Sequence, residues 1–208
     1  MTRDEIVREI RRRCRLFGVT FDLREGARVE ASPGVRCAGF FDSTDPRGPR
    51  LALASKMNVD HFIGTLLHEY CHVTQWAENC TVWQEDAFWS KQCNIHEWLG
   101  SGKPCTTLVK KAFEASRDLE ADNERRTVRL IKELKPSINL EDYIQRANSY
   151  VHFYNTMPIT NEWYHPDRVP YKMPNVTKLF RSDKVDDDFS KTPKRQMIAL
   201  MKCANTRL

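Results

Sequence analysis

Residues 68–72 read His68-Glu69-Tyr70-Cys71-His72, and this H-E-x-x-H stretch constrains the chain more than any other feature. On a helix, residues four apart lie one turn apart on the same face. Two imidazoles so placed can share one zinc ion. Glu69 falls about 100° round the axis, beside the metal position, where it can take a proton from a water. The surrounding residues predict the sidedness such a helix needs. His61, Gly64, Thr65, Cys71, His72 and Gln75 fall on the His68 side, and Phe62, Ile63, Leu66, Tyr70 and Val73 fall on the far side. The back is apolar and packs, while the front is polar and small. Gly64 weakens a helix interior by about 1 kcal/mol relative to Ala, so it is expected where another backbone or a ligand comes close.

A catalytic zinc site takes three protein ligands and keeps one position open. The third ligand is sought on the segment Thr107–Leu134, TLVKKAFEASRDLEADNERRTVRLIKEL, which carries Glu114, Asp118, Glu120, Asp122 and Glu124. With Glu120 at zero on the wheel, Val109, Phe113, Ser116, Asn123, Thr127, Ile131 and Leu134 all fall within about 60° of it. Asp118, Asp122, Lys111 and Arg129 fall opposite. A carboxylate inside an apolar stripe is costly unless it is paired or binds a metal. Glu120 is therefore the expected third ligand, ahead of Asp118, Glu124 and His96. Glu124, one turn on, is suited to orienting a ligand histidine. Helix-surface pairing of these acids with Arg117, Arg125 or Arg126 is the plain alternative.

His68-Glu69-Tyr70-Cys71-His72 followed by Glu120 on a later helix resembles the gluzincin branch of the zincin metallopeptidases. The wider runs Leu-Leu-His-Glu-Tyr-Cys-His-Val-Thr-Gln-Trp and Glu-Ala-Asp-Asn-Glu-Arg-Arg-Thr-Val look like those of small metallopeptidases encoded by tailed bacteriophages. Leu119-Glu120-Ala121-Asp122 is also similar to an E-x-x-A-D motif, a register that would make Asp118 the ligand. The resemblance spans roughly residues 50–155. It implies an α+β, zincin-like fold: a small N-terminal mixed sheet, the active-site helix, then a helical C-terminal half. It further implies a zinc-dependent peptidase acting on a protein or peptide substrate, with Glu69 as the catalytic base. An edge strand that binds extended peptide by β-addition belongs to the same expectation. His152, Tyr150, Tyr154, Tyr164 and His165 are candidates to stabilise the anionic intermediate, and the sequence does not choose among them.

Two other readings stay open. The Leu-Leu-His-Glu run is similar to that of SprT/Spartan proteases, which act on DNA-associated proteins, although that group uses a third histidine. Net charge +5 and the cluster Arg11, Arg12, Arg13 and Arg15 would suit nucleic acid. The same arginines also suit a solvated helix face opposite Ile6, Ile10, Cys14 and Phe17. A catalytically inactive, zincin-fold binding or virion-associated protein is the third reading, and intact Glu69 argues against it.

The 208 residues suit one compact domain over 1–155 and an appended Pro-rich, aromatic and then basic stretch over 156–208. Seven cysteines include no C-x-x-C pair, which disfavours a second zinc site. A charged start without a signal-like apolar run leads to an expected cytoplasmic location, in a host cell if phage-encoded, with no membrane partner. Helices are expected at 3–17 and 140–155, with a short one at 194–203. Short strands are expected at 18–23, 27–31, 37–41 and 51–55. Residues 77–106 read as irregular and 156–175 as a wrapped loop.

Overall fold

The computed structural model describes residues 1–32 and 34–204. Pro33 and residues 205–208, the last four of the expected appendage, lie outside them. The fold is mixed α+β with a small mixed sheet. Its contacts group into two units: residues 1–80 with 126–139, and residues 81–125 with 140–208. The partition expected at residue 155 follows chain order, whereas this grouping does not.

The first unit opens with helix α1, Arg3–Leu16, started by a capping box in which Thr2 accepts from the Glu5 N–H and Glu5 accepts from the Thr2 N–H. Ile6, Ile10 and Cys14 of its stripe are buried, while Phe17, expected with them, is the C-cap residue and is exposed. Five short strands follow: β1 Thr20–Arg24, β2 Val29–Ser32, β3 Val35–Cys37, β4 Gly39–Asp42 and β5 Arg50–Ala54. β2 and β3 form an antiparallel pair. The larger sheet has the order β1-β5-β4, parallel between β1 and β5 and antiparallel between β4 and β5. β5 reads Arg-Leu-Ala-Leu-Ala and is buried from Leu51 onward. That is the near-continuous apolar pattern of a central strand covered on both faces.

Helix α2, Val59–Ala77, carries the H-E-x-x-H residues. Asn58 caps it by accepting the His61 N–H at 2.8 Å. The expected back of this helix is its buried face: Phe62, Ile63, Leu66, Tyr70 and Val73 are each at most 5% exposed. α2 packs on β4 and β5. Gly39 sets how closely β4 approaches: a Cβ there would lie 2.6 Å from Leu53 Cδ1 and 3.1 Å from Thr65 Cγ2 of α2.

The second unit contains a helix that its sequence did not announce. Residues 77–106 are not irregular, since α3 runs from Thr81 to Gln92 and α4 from Ile95 to Trp98. α3 buries none of its residues fully, so it lacks the apolar stripe that periodicity detects. Helix α5, Thr107–Leu134, coincides with the expected segment. It is unbroken and belongs to the second unit up to Arg125 and to the first from Arg126. Helix α6, Leu140–Phe153, precedes short helical turns at Met157–Thr160 (α7), Pro170–Lys172 and Pro174–Thr177 (α8), in place of an uninterrupted loop. Helix α9, Lys194–Met201, closes the described chain. Ile95, Trp98, Phe113, Phe153, Met157 and Leu200 are among the residues of one buried cluster.

Buried polar residues of α6 anchor the segment beyond residue 180. Asn148 donates to the carbonyls of Arg181 and Lys184 and accepts the Asp186 N–H. Asn155 donates to the Phe189 carbonyl. These bonds satisfy backbone groups of an irregular segment that would otherwise be buried without partners. No helix among the described residues is long and apolar enough to cross a membrane.

Candidate metal centre

His68 and His72 project from one face of α2, their rings edge to face at 4.9 Å between centroids. Both are half-buried. His72 Nδ1 lies 2.8 Å from Gln75 Oε1, and Gln75 is fully buried. With the amide oxygen accepting from Nδ1–H, the lone pair of His72 is on Nε2, the atom that would ligate. Gln75 is a site residue that motif reading did not single out. Its position three residues after His72, on the same face, is the signal that would have found it.

On α5 the wheel proves a sound guide to sidedness. Val109, Phe113, Asn123, Thr127, Ile131 and Leu134, expected around Glu120, are all buried. Ser116, also expected there, is half-buried; of the residues expected opposite, Lys111, Asp118 and Arg129 are exposed and Asp122 is half-buried. Asp118 pairs with Arg117 at 2.9 Å. Glu120 is half-buried, and the Tyr150 hydroxyl donates to its Oε1 at 3.3 Å. Glu124 is buried and accepts from the Tyr143 hydroxyl at 2.7 Å. His96 is exposed on α4.

The side chains that periodicity selected converge. One ligand atom from each of His68, His72 and Glu120 lies within 4.8 Å of the other two. Among the described residues this is the group of three or more such side chains able to hold a metal ion. No family model, curated protein or solved structure matches this chain. The site must therefore be read from its own chemistry. Two imidazoles and one carboxylate are a donor set that fits zinc with a fourth position left open.

The neighbouring titratable groups stay neutral. Burial, and then the charge of Glu69, push the Cys37 thiol up to about 11, so it is a thiol at neutral pH. Burial raises Cys14 to about 12. None of the seven cysteines is in a disulfide. Burial and the charge of Glu120 hold the Tyr150 and Tyr154 phenols well above their usual range. Both remain O–H donors, 3.2 Å apart at their oxygens.

The other candidates for stabilising an anionic oxygen are engaged elsewhere. His152 is 2% exposed and bridges Asp186 Oδ2 at 2.9 Å and Thr192 Oγ1 at 3.0 Å, stacked on Phe180. Tyr164 pairs its hydroxyl with that of Tyr171. His165 sits near Asp167 in the segment after α7.

Proposed function

We propose that the chain is a zinc-dependent peptidase built on the gluzincin plan, with an active-site helix against a small sheet and a glutamate ligand on a later helix. The observation that carries this reading is the convergence of His68, His72 and Glu120, which lie 48 residues apart in sequence between His72 and Glu120 (120 − 72), to within 4.8 Å. His68 and His72 would hold the ion through imidazole nitrogens and Glu120 through a carboxylate oxygen. When bound, zinc supplies Lewis-acid charge that acidifies a water and polarises the scissile carbonyl.

The chain's own residues do the rest. Gln75 fixes the tautomer and ring plane of His72. Tyr150 steadies Glu120 by donating to Oε1. Glu69, adjacent to the first ligand, takes the proton of the attacking water and passes it to the leaving amine nitrogen. The neutral phenol of Tyr154 is suited to donate to the oxygen that becomes anionic as the carbonyl is attacked.

The test is a pair of variants. Glu69→Gln should retain one zinc per chain and lose cleavage of a peptide substrate by about 10²–10⁴-fold, the usual contribution of a general base. Glu120→Ala should lose zinc affinity. Wild-type cleavage by a zinc-loaded Glu69→Gln protein refutes the mechanism, and unchanged zinc affinity in Glu120→Ala refutes the ligand set.

A further inference from the structure

The stretch after residue 156 reads from sequence as an appendage. In the second unit, one of its side chains packs on the tyrosine that serves Glu120. Tyr150, on α6, donates its hydroxyl to Glu120 Oε1 at 3.3 Å. Its ring meets two others edge to face. Tyr154, one turn on along α6, lies 5.7 Å away at 82°, and Tyr171 lies 5.5 Å away at 87°. Tyr171 belongs to the turn Pro170–Lys172, which packs on α6. Pro170 opens that turn with its φ set by the pyrrolidine ring, and both it and Val169 are buried. Tyr164 holds the Tyr171 ring from a further side, edge to face at 5.8 Å, with the two hydroxyls 3.1 Å apart. Tyr164 is itself fixed by the Phe153 ring at 5.7 Å and by a backbone bridge to Ala204.

We infer that Tyr171 is a positioning residue of the metal centre, whose ring holds Tyr150 so that the Tyr150 hydroxyl stays against the Glu120 carboxylate. The inference rests on the peptidase reading above, because Glu120 matters in this way only as a metal ligand. Bonds of the O–H···O kind usually span about 2.5–3.0 Å. At 3.3 Å the Tyr150 bond is long, so a small swing of the side chain breaks it. The hydroxyl stands at the far end of that side chain, where a change in χ1 displaces it most, and packed rings limit the change. A carboxylate that gives one oxygen to a metal still accepts at the other, and such partners hold a ligand in the geometry the metal needs. The Pro-rich segment thereby serves the site rather than trailing from it.

The experiment is a double-mutant cycle on the full chain, read by zinc affinity in competition with a chromophoric chelator. Tyr150→Phe removes the hydroxyl, keeps the ring, and should weaken zinc binding about 10–100-fold, as loss of a ligand's supporting partner does. Tyr171→Leu removes the ring edge and should reach the lower end of that range, about 10-fold. Tyr171→Phe keeps the ring and should bind zinc like the wild type. In the Tyr150→Phe background, Tyr171→Leu should cost no further affinity, because no hydroxyl is left to hold. The visible spectrum of the Co(II)-loaded protein should change in Tyr171→Leu and return in Tyr171→Phe. Tyr171→Met, which fills more of the space, is read in the same way if Tyr171→Leu does not fold. Equal losses of affinity in both backgrounds make Tyr171 a packing residue alone and overturn the inference. An unchanged affinity in Tyr171→Leu overturns it, and so does an equal loss in Tyr171→Phe, which would credit the hydroxyl instead of the ring. A wild type that binds no zinc overturns the ligand set and the inference together. Zinc affinity that follows the cycle in a protein that cleaves no peptide keeps Tyr171 in its role and loses the peptidase reading. Glu69-dependent cleavage with unchanged affinity in Tyr171→Leu does the reverse.

Discussion

Replacing Gln75 by Met removes one acceptor while nearly conserving side-chain volume, and it isolates the role of a residue that touches no metal. Gln75 Oε1 lies 2.8 Å from His72 Nδ1, and Gln75 is fully buried. Without that acceptor the Nδ1–H group is left partly buried and unsatisfied, a cost of about 1–3 kcal/mol. The bond exists without metal as well, so part of the loss lowers the stability of the metal-free fold. The remainder falls on metal affinity, because an imidazole that ligates a cation becomes a better donor through its other nitrogen. Replacing such supporting partners typically weakens binding by about 10–100-fold. That corresponds to roughly 1.4–2.7 kcal/mol. Zinc affinity is read by competition with a chromophoric chelator, and urea unfolding of the metal-free protein separates the two contributions. Gln75→Glu keeps an acceptor and adds charge, so it should bind zinc at least as tightly as the wild type. A folded Gln75→Met protein whose zinc affinity stays within about two-fold of wild type, far inside the expected range, refutes the orienting role.

Three further outcomes follow from the packing and the charges. Gly39→Ala should destabilise the fold by about 1–3 kcal/mol, because the new Cβ would sit 2.6 Å from Leu53 Cδ1; an unchanged urea midpoint would contradict this. Arg12 and then Arg13 hold the Glu9 carboxyl down to about 2, from 4.5. Its folded value is depressed, so its contribution is present above pH 4.5 and is lost as pH falls toward 2. The stability difference between wild type and Glu9→Gln should therefore shrink over that window; a difference that stays constant between these values contradicts the pairing. Tyr154→Phe should leave zinc content unchanged and lower the rate of cleavage about 10²-fold or more, as loss of an oxyanion donor does; an unchanged rate would remove Tyr154 from the chemistry.

The helices of both units show how far local pattern reaches. α1, α2, α5 and α6 were legible because each carries a stripe that repeats with the helix, and burial follows most of that stripe, with exceptions such as Phe17, which is exposed, and Gly64, Cys71 and Gln75, which are buried on the face expected to be open. Four strands were legible to within a few residues, with β5 the clearest because both its faces are covered, whereas β3, which pairs with β2, was not expected. α3 was not legible. A helix with no fully buried residue has no periodic contrast between faces, so nothing in its order of residues distinguishes it from a polar loop. The short turns after residue 156 were hidden by prolines, which begin helical turns as readily as they end helices.

The sequence by itself determined that two histidines share a helix face, that Glu69 stands beside them, and that Glu120 lies on the buried side of α5. Each of these is a statement about one helix, and helical geometry carries it. Only tertiary structure decided that Glu120 meets His68 and His72, that Gln75 backs His72, and that Tyr171 packs on the tyrosine bonded to Glu120. Periodicity says which way a side chain points along its own axis. Which other side chain it finds there depends on how separate elements pack, and the packed core, rather than any local pattern, fixes that.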